Sequence, residues 1–377
     1  MVRIFGKEYS RKELLRRVGD IYQIGGVKFM QYTDGPEKGV RAIEIRTGTG
    51  FRFIVLPDRG LDISHAEYNG IPLNWRSPTG DVAPEFYDPR GLEWLRGFFG
   101  GLLVTCGLTQ VGVPTVDNGE ELGLHGRYSY IPARNVYADG YWEGDEYYIV
   151  VRGKVREARV FGPNIVLERE ISTKISERRL FIKDRVINEG WDSHPLMILY
   201  HFNIGWPVVD EGAKLVLTSK AYVPRDKDAW VEPEKYDTFT EPTKGFKERV
   251  YFHLMTGDEQ GYAYAGILNW NLEMGVYAKF KVSQLNRMIE WKMMGEGLYV
   301  VGIEPSNCFV LGRRKERELG TLEFLKPGED KILEIEFGVL LGNELKEFED
   351  TVNRVTGGRR PDLVKTLDEF VNLLKGS

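Results

Sequence analysis

The sequence predicts an all-β-dominated protein, a large antiparallel sandwich with short helices near its two ends. Between residues 42 and 337, well over a dozen short segments rich in β-branched and aromatic residues follow one another. Within them apolar and polar residues alternate with the period of a half-buried strand. Turn residues such as Asn-Glu-Gly and Ser-Glu-Arg separate them, and no regular alternation with helices intervenes, which excludes a parallel sheet wound by crossover helices.

The elements follow in order. Ser10 and Glu13 form a possible capping box for a helix over 10–19, with Leu14, Leu15 and Val18 on one face and Gly19 at its end. Residues 42–46 and 51–56 read as strands joined by the hairpin turn TGTG. After Pro57 comes a long irregular connection, NWRSPTGDVAPEFYDPRGLEWLRGFFGG, and loops of that length are usually functional. From Tyr147 strand signals recur in YYIVVRGKV, NIVLEREISTKI, RLFIKDRVIN, LMILYHFNI and KLVLTSKAYV. They continue over 249–254, 261–268, 275–282, 288–294 and 298–303. A Lys-Pro-Gly-Glu-Asp turn is expected to join 322–325 to 332–337 as a final hairpin. Asn343 can cap a helix carrying Leu345, Phe348, Val352 and Val355; Asp362 can cap another carrying Leu363, Leu367, Phe370 and Leu374. The expected division is a sandwich over 1–340 and a helical appendage over 341–377.

With 377 residues, 42% of them hydrophobic and 28% charged, the chain can bury a sizeable core as one large β domain. A net charge of -5, with lysines and arginines spread along the chain, gives no basic stripe and argues against nucleic acid as a partner. Cys106 and Cys308 have no metal-type spacing and read as buried thiols of a reducing compartment. The opening MVRIFGKEYS lacks the apolar core of a signal peptide, and no apolar run reaches the roughly 20 residues of a membrane span, so a cytoplasmic location is expected. Motifs for a nucleotide, a zinc peptidase or a serine hydrolase are missing, and Asp117, Glu120 and Glu121 read as a solvated acidic loop. Neither a cofactor nor a metal is expected.

Five histidines can be weighed singly. His65 and His194 read as surface positions beside turns, and His253 as a strand residue with a satisfied ring nitrogen. His125 lies in GLHGR, where glycines allow close backbone approach to a ligand. His201 ends an apolar strand in LYHFNIGWP, near Asn203 and Trp206, a combination suited to the apolar faces and hydroxyls of a sugar. The alternative for each is an imidazole that merely fixes a loop. Glu304, in VVGIEPSN, emerges from an apolar strand, where burial would raise its pKa towards that of a general base; the alternative is a turn carboxylate bonded to backbone amides. Arg59, Arg76, Arg96 and Arg127 gather around the irregular region, either to bind hydroxyls, carboxylates or phosphates or to anchor the loop through Asp58 and Asp62.

The series QIGGVKF, VLPDRGLDI, GGLLVTCGL, GLHGR and WKMMGEGLYVVGIEPSN resembles a group of unknown function within the aldose 1-epimerase superfamily, over about residues 22–339. The resemblance implies a galactose mutarotase-like β-supersandwich. It also implies His201 as general acid on a sugar ring oxygen, Glu304 as general base on the anomeric hydroxyl and His125 as binder of the sugar. Arg96, then Arg59, match the position of the family's substrate-binding arginine, and Asp258 that of its substrate-orienting aspartate; Arg127, Asn203 and Trp206 complete the expected binding set. The implied activity is interconversion of the anomers of a monosaccharide, and the arginines would permit an acidic or phosphorylated one. A non-catalytic sugar-binding or sensor protein, or an epimerase or lyase on the same scaffold, are the alternatives.

Overall fold

A computed structural model of the chain describes residues 1–376, and strands dominate it. Eight antiparallel strands form one sheet, in the spatial order Arg134–Glu143, Glu146–Ala158, Asn164–Lys174, Arg179–Asn188, Asp330–Leu341, Met274–Lys281, Tyr262–Asn269, Lys214–Leu217. The main path of a larger, thirteen-stranded sheet runs Asp362–Leu363, Ser219–Pro224, Arg249–Met255, Arg287–Gly295, Leu298–Ser306, His194–Gly205, Leu103–Leu108, Asp62–Tyr68, Phe51–Leu56, Arg41–Arg46, Gly26–Gln31.

The two sheets meet face to face. Ile149, Val151, Leu167, Ile182 and Phe337 of the smaller sheet share one apolar core with Val55, Ile63, Tyr200, Phe202 and Ile303 of the larger. The rings of Phe202 and Phe337 stack across it with centroids 5.2 Å apart. Strand Glu146–Ala158 shows why the smaller sheet alternates in sequence. Val151, Gly153 and Val155 face the core, while Arg152 and Lys154 face solvent and pair across the ladder with Glu170 and Glu168.

The larger sheet is covered on both faces. Its outer face carries a second core of Cys106, Leu199, Phe252, Ile289 and Phe309, closed by Phe370 and Val371 of the terminal helix and by Trp94 and Phe98 of the long connection. A strand buried on both sides needs no polar alternation, which is why LMILYHFNI reads as nearly continuous apolar sequence.

Four elements differ from the sequence expectation. The capping box is present, yet the first helix spans only Arg11–Leu15, because Asp20 caps a new turn at Ile21–Gln23 and the chain must leave the helix to reach it. The hairpin expected after Leu322 does not form. Glu323–Leu325 pairs with the start of His194–Gly205, whereas Asp330–Leu341 enters the smaller sheet between Arg179–Asn188 and Met274–Lys281. Asp362 is no helix cap: Asp362–Leu363 adds in parallel to Ser219–Pro224, and the last helix, Leu367–Lys375, is capped by Thr366. The acidic loop is not solvated at Asp117, which is buried between Arg313 and Arg317. No helix among the described residues is long and apolar enough to cross a membrane.

One buried ionic cluster ties the sheets together. Arg169, from the smaller sheet, donates to Asp184 at 2.9 and 2.7 Å, to Asp62 at 3.0 Å and to Thr105 at 3.0 Å, the last two belonging to the larger sheet. Tyr200 adds a bond to Asp184 at 2.8 Å. Burial pushes the Asp62 carboxyl up to about 7 even with this guanidinium beside it. Removing the arginine would strand two buried carboxylates. Arg169→Leu is therefore expected to lower the unfolding free energy by about 3–5 kcal/mol at pH 8, read from guanidinium titrations of both proteins.

Candidate active site

A cavity of about 300 Å³ opens on the outer face of the larger sheet. Strand alternation decides what faces it. In His194–Gly205, Tyr200 and Phe202 point into the core between the sheets, so His201 points outward. In the neighbouring strand Ile303 points inward and Glu304 outward. The register that sets Phe202 opposite Ile303 makes His201 and Glu304 side-by-side neighbours, with Nε2 and Oε1 3.2 Å apart. That approach lacks hydrogen-bond alignment: Glu304 Oε1 and His201 Nδ1 have no hydrogen-bond partner among the described residues. One strand further, Ile289 lies opposite Glu304 and Trp291 opposite Gly302. A Cβ on Gly302 would lie 2.3 Å from Glu304 Oε1 and 3.0 Å from Trp291 Cβ, so glycine makes room for the carboxylate.

His125 arrives from a loop. Its backbone takes a left-handed φ of 55°, and its N–H donates to Gly112 O at 2.9 Å while its carbonyl accepts from Gly107 N at 3.1 Å. A Cβ on Gly126 would lie 2.4 Å from Gln110 O; this glycine serves packing of loop on loop rather than contact with a ligand. Glu157 fixes the end of the strand Leu103–Leu108, beside which this loop packs, accepting from Leu108 N at 2.7 Å and Thr109 Oγ1 at 2.5 Å. The His125 ring packs against Trp94 and stands 6.0 Å, centroid to centroid, from that of His201. Phe98 and Trp291 flank His201 at 5.3 and 5.4 Å.

Desolvation sets the charges here. Burial holds His201 well below the usual imidazole range, the nearby His125 adds to this, and the Asn203 side chain opposes it. Burial pushes His125 down to about 4. Burial also drives Glu304 well above the carboxylate range, with Arg225 pulling the other way. The free cavity thus favours a carboxylic acid beside a neutral imidazole, one donor and one acceptor, over an ion pair.

Of the residues expected to bind substrate, His125 lines this cavity and the others do not. Arg59 is fully buried and donates to three carbonyls, Ser129 at 2.6 Å, Val82 at 2.7 Å and Gly97 at 2.9 Å, so it pins the long connection from within. Its expected acidic anchors are engaged elsewhere, Asp58 by Arg41 and Asp62 by Arg169. Arg96 has a 78% exposed side chain paired with Glu93, and Arg76 pairs with Asp81. Arg127 borders a separate recess beside Glu157. Asn203 donates to Gly100 O and His201 O and so fixes backbone next to the site. Trp206 is 62% exposed and bonds Asp210, and Asp258 accepts from Tyr264.

Sequence reasoning missed Arg225, Glu248, Trp94, Phe98 and Trp291, all on the cavity wall. Arg225 directly follows the strand Ser219–Pro224, whereas Glu304 lies within Leu298–Ser306 after an apolar run; a charged residue after apolar neighbours is the one signal that pointed to it. Its Nε donates to Asp226 at 2.6 Å and its Nη2 to Glu248 at 2.8 Å, and Glu248 also accepts from Trp291 Nε1 at 3.0 Å. Among the described residues no group of three or more His, Cys, Asp and Glu is arranged to hold a metal ion.

Two packed antiparallel sheets of this kind define the fold class, that of galactose mutarotase-like proteins. The chain belongs to the family of the domain of unknown function DUF4432, whose model matches residues 37–339. Among solved structures it is similar to a candidate aldose 1-epimerase from Klebsiella pneumoniae subsp. pneumoniae MGH 78578, at 25% identity and a TM-score of 0.86 over 90% of each chain. A galactose mutarotase-like protein from Clostridium acetobutylicum shares the fold at 14% identity and a TM-score of 0.59, covering 84% of this chain and 98% of its own. Galactose 1-epimerase from Lactobacillus acidophilus NCFM shares it at 14% identity and a TM-score of 0.55, covering 84% and 99%. No curated protein sequence matches the chain.

The depressed value at His125 has a direct readout. An imidazole with a pKa of about 4 stays neutral from pH 8 down to about 5. In a pH series of ¹⁵N-histidine spectra, the His125 ring signals are expected to hold the neutral pattern throughout that range; a protonation midpoint near 6.5 would show the ring to be solvated.

Proposed function

We propose that the chain is an aldose 1-epimerase-like isomerase that interconverts the anomers of a monosaccharide by acid–base ring opening, with His201 and Glu304 moving the protons and His125 binding the sugar. The observation that carries this reading is the 3.2 Å approach of His201 Nε2 to Glu304 Oε1, two groups shielded from water and unaligned with each other. They sit on the floor of a largely apolar, aromatic cavity at the small end of ligand-site volumes, a fit for one sugar ring.

The chemistry needs little more. Opening a cyclic hemiacetal breaks the bond between C1 and the ring oxygen and makes a carbonyl at C1; one proton leaves the C1 hydroxyl and another reaches the ring oxygen. Both oxygens are bonded to the same carbon, so an adjacent donor and acceptor serve both at once. The open aldehyde turns about its C1–C2 bond and closes on the other face, returning the protons. In the proton distribution that burial favours, Glu304 gives and His201 accepts during opening, the inverse of the roles implied by the family resemblance; ring closure runs the transfers backwards, so each group acts in both senses. Trp291 and Phe98 offer aromatic faces to the C–H side of the ring. Binding falls in this reading to Arg225 and Glu248 in place of Arg59, Arg96, Arg127, Asn203 and Trp206.

Saturation-transfer NMR on a panel of aldoses tests this. His201→Ala and Glu304→Gln should each slow anomer exchange by about 10²–10⁴-fold with the thermal unfolding midpoint retained. No acceleration by the unaltered protein on any aldose would sink the proposal, and binding without exchange would favour a sensor. Gly302→Ala, which crowds the carboxylate from behind, should cost about 10²-fold in exchange rate, as expected for a displaced catalytic group; an unchanged rate would separate the position of Glu304 from turnover.

A further inference from the structure

The loop that delivers His125 has two sides. Leu124 and His125 line the cavity, whereas Gly123, Gly126 and Arg127 line a separate recess of about 120 Å³. Residues 123–126 therefore form a partition between two pockets. The recess wall also grips this partition. Tyr87 Oη donates to Gly126 O at 3.0 Å, and Gln110 Nε2, which donates to Val113 O at 2.9 Å, also reaches Gly123 O at 3.4 Å.

Two charged groups on the recess wall lack a countercharge. Arg127 is exposed and has no hydrogen bond or ion pair from its side chain among the described residues. Glu157 is buried, and its two oxygens accept from neutral donors, the amide of Leu108 and the hydroxyl of Thr109, with no cation paired to it among the described residues. A buried carboxylate without an ion-pair partner carries an uncompensated desolvation cost. Burial raises the pKa of the Tyr87 hydroxyl, the Arg127 charge opposes this and Glu157 adds to it, so both groups stand within electrostatic reach of one point on the wall. The other ionic groups are engaged or solvated: Arg159 pairs with Glu120, which also pairs with Arg313, and Glu121 faces solvent.

A free cation and an unpaired buried anion in one small recess match a ligand with the inverse charges. A simple anion would meet Glu157, Glu120 and Glu121, and a simple cation would meet Arg127 and Arg159, so neither is favoured alone. A carboxylate fits the planar fork of Arg127, and an ammonium supplies Glu157 with the cation it lacks. An α-amino acid carries both on one carbon. The recess offers about four times the share of one water in the liquid, which limits the side chain to the smallest. An occupant that takes a hydrogen bond from Tyr87 or Gln110 also draws on donors that hold the carbonyls of Gly126 and Gly123, and so bears on the partition itself.

We propose that this recess binds a small zwitterion, a free α-amino acid of the size of glycine or alanine, with its carboxylate on Arg127 and its ammonium on Glu157, and that the occupant shifts the loop of His125. The coupling is reciprocal, since whatever moves residues 123–126 from one side reshapes the other. Neither the site nor its coupling depends on the reaction carried out in the cavity.

Calorimetry of the full chain with glycine and L-alanine, together with ¹⁵N-histidine spectra, tests this. Both amino acids are expected to bind, and L-leucine is expected to be excluded by size. Acetate and methylamine, each with one of the two charges, should bind about tenfold or more weaker than glycine, and Arg127→Ala should weaken glycine by about the same factor. That variant breaks no side-chain bond, so its thermal unfolding midpoint should be retained. On saturation with glycine the His125 ring signals should move while those of His253 hold. Undiminished binding by Arg127→Ala, or no binding of either amino acid at millimolar concentrations, would overturn the site. Acetate or methylamine binding as tightly as glycine would overturn the zwitterion. Binding that leaves the His125 signals unmoved would overturn the coupling and leave the site standing.

Discussion

The site depends on the pairing of two strands whose side chains alternate in opposite directions. Strands His194–Gly205 and Leu298–Ser306 are hydrogen-bonded neighbours, and burial of Phe202 and Ile303 between the sheets turns His201 and Glu304 to the outer face together. A slip of one residue in either strand would bury a histidine or a glutamate in the hydrocarbon core and expose a phenylalanine or isoleucine. The apolar packing between the sheets therefore holds the chemical pair in place, and the Asp62–Arg169–Asp184 cluster locks the two sheets across that packing.

Desolvation then gives the pair its chemistry. An imidazole and a carboxyl in water would exist near neutrality as an ion pair or as separate solvated groups. Here burial disfavours both charged forms and leaves one donor and one acceptor within 3.2 Å of each other. Such polar atoms without partners destabilise a fold, which is a reason to connect them with a ligand. The rest of the molecule supplies the precision. Arg59 anchors the connection that delivers Trp94 and Phe98, Glu157 fixes the strand end beside the loop of His125, Asn203 ties the backbone beside His201, and Gly302 leaves the space that Glu304 fills.

Arginine illustrates how context divides identical side chains. Arg59 and Arg169 are enclosed and serve architecture; Arg96 and Arg127 lie off the cavity; among the described residues Arg225 is the arginine that reaches the cavity, already paired with Asp226 and Glu248. Their neighbours in sequence distinguish them poorly. Arg59 sits beside Asp58 and Asp62, yet its partners are carbonyls of Ser129, Val82 and Gly97, brought near by chain reversals far along the sequence.

Local chemistry in the sequence determined the all-β class, most strand positions and the capping box at Ser10, and it singled out His125, His201 and Glu304, which line one cavity, because period-two alternation, turn residues and motif order are properties of short stretches. The tertiary structure alone decided which strands pair and what stands on the cavity wall. The turn after Leu325 reverses the chain without forming a hairpin, Asp362 joins a strand in place of capping a helix, and Arg225 and Trp291 line one cavity with Glu304 from other strands of the sheet. Those choices follow from the burial of whole sheet faces, a sum over residues distant in sequence that no local window contains.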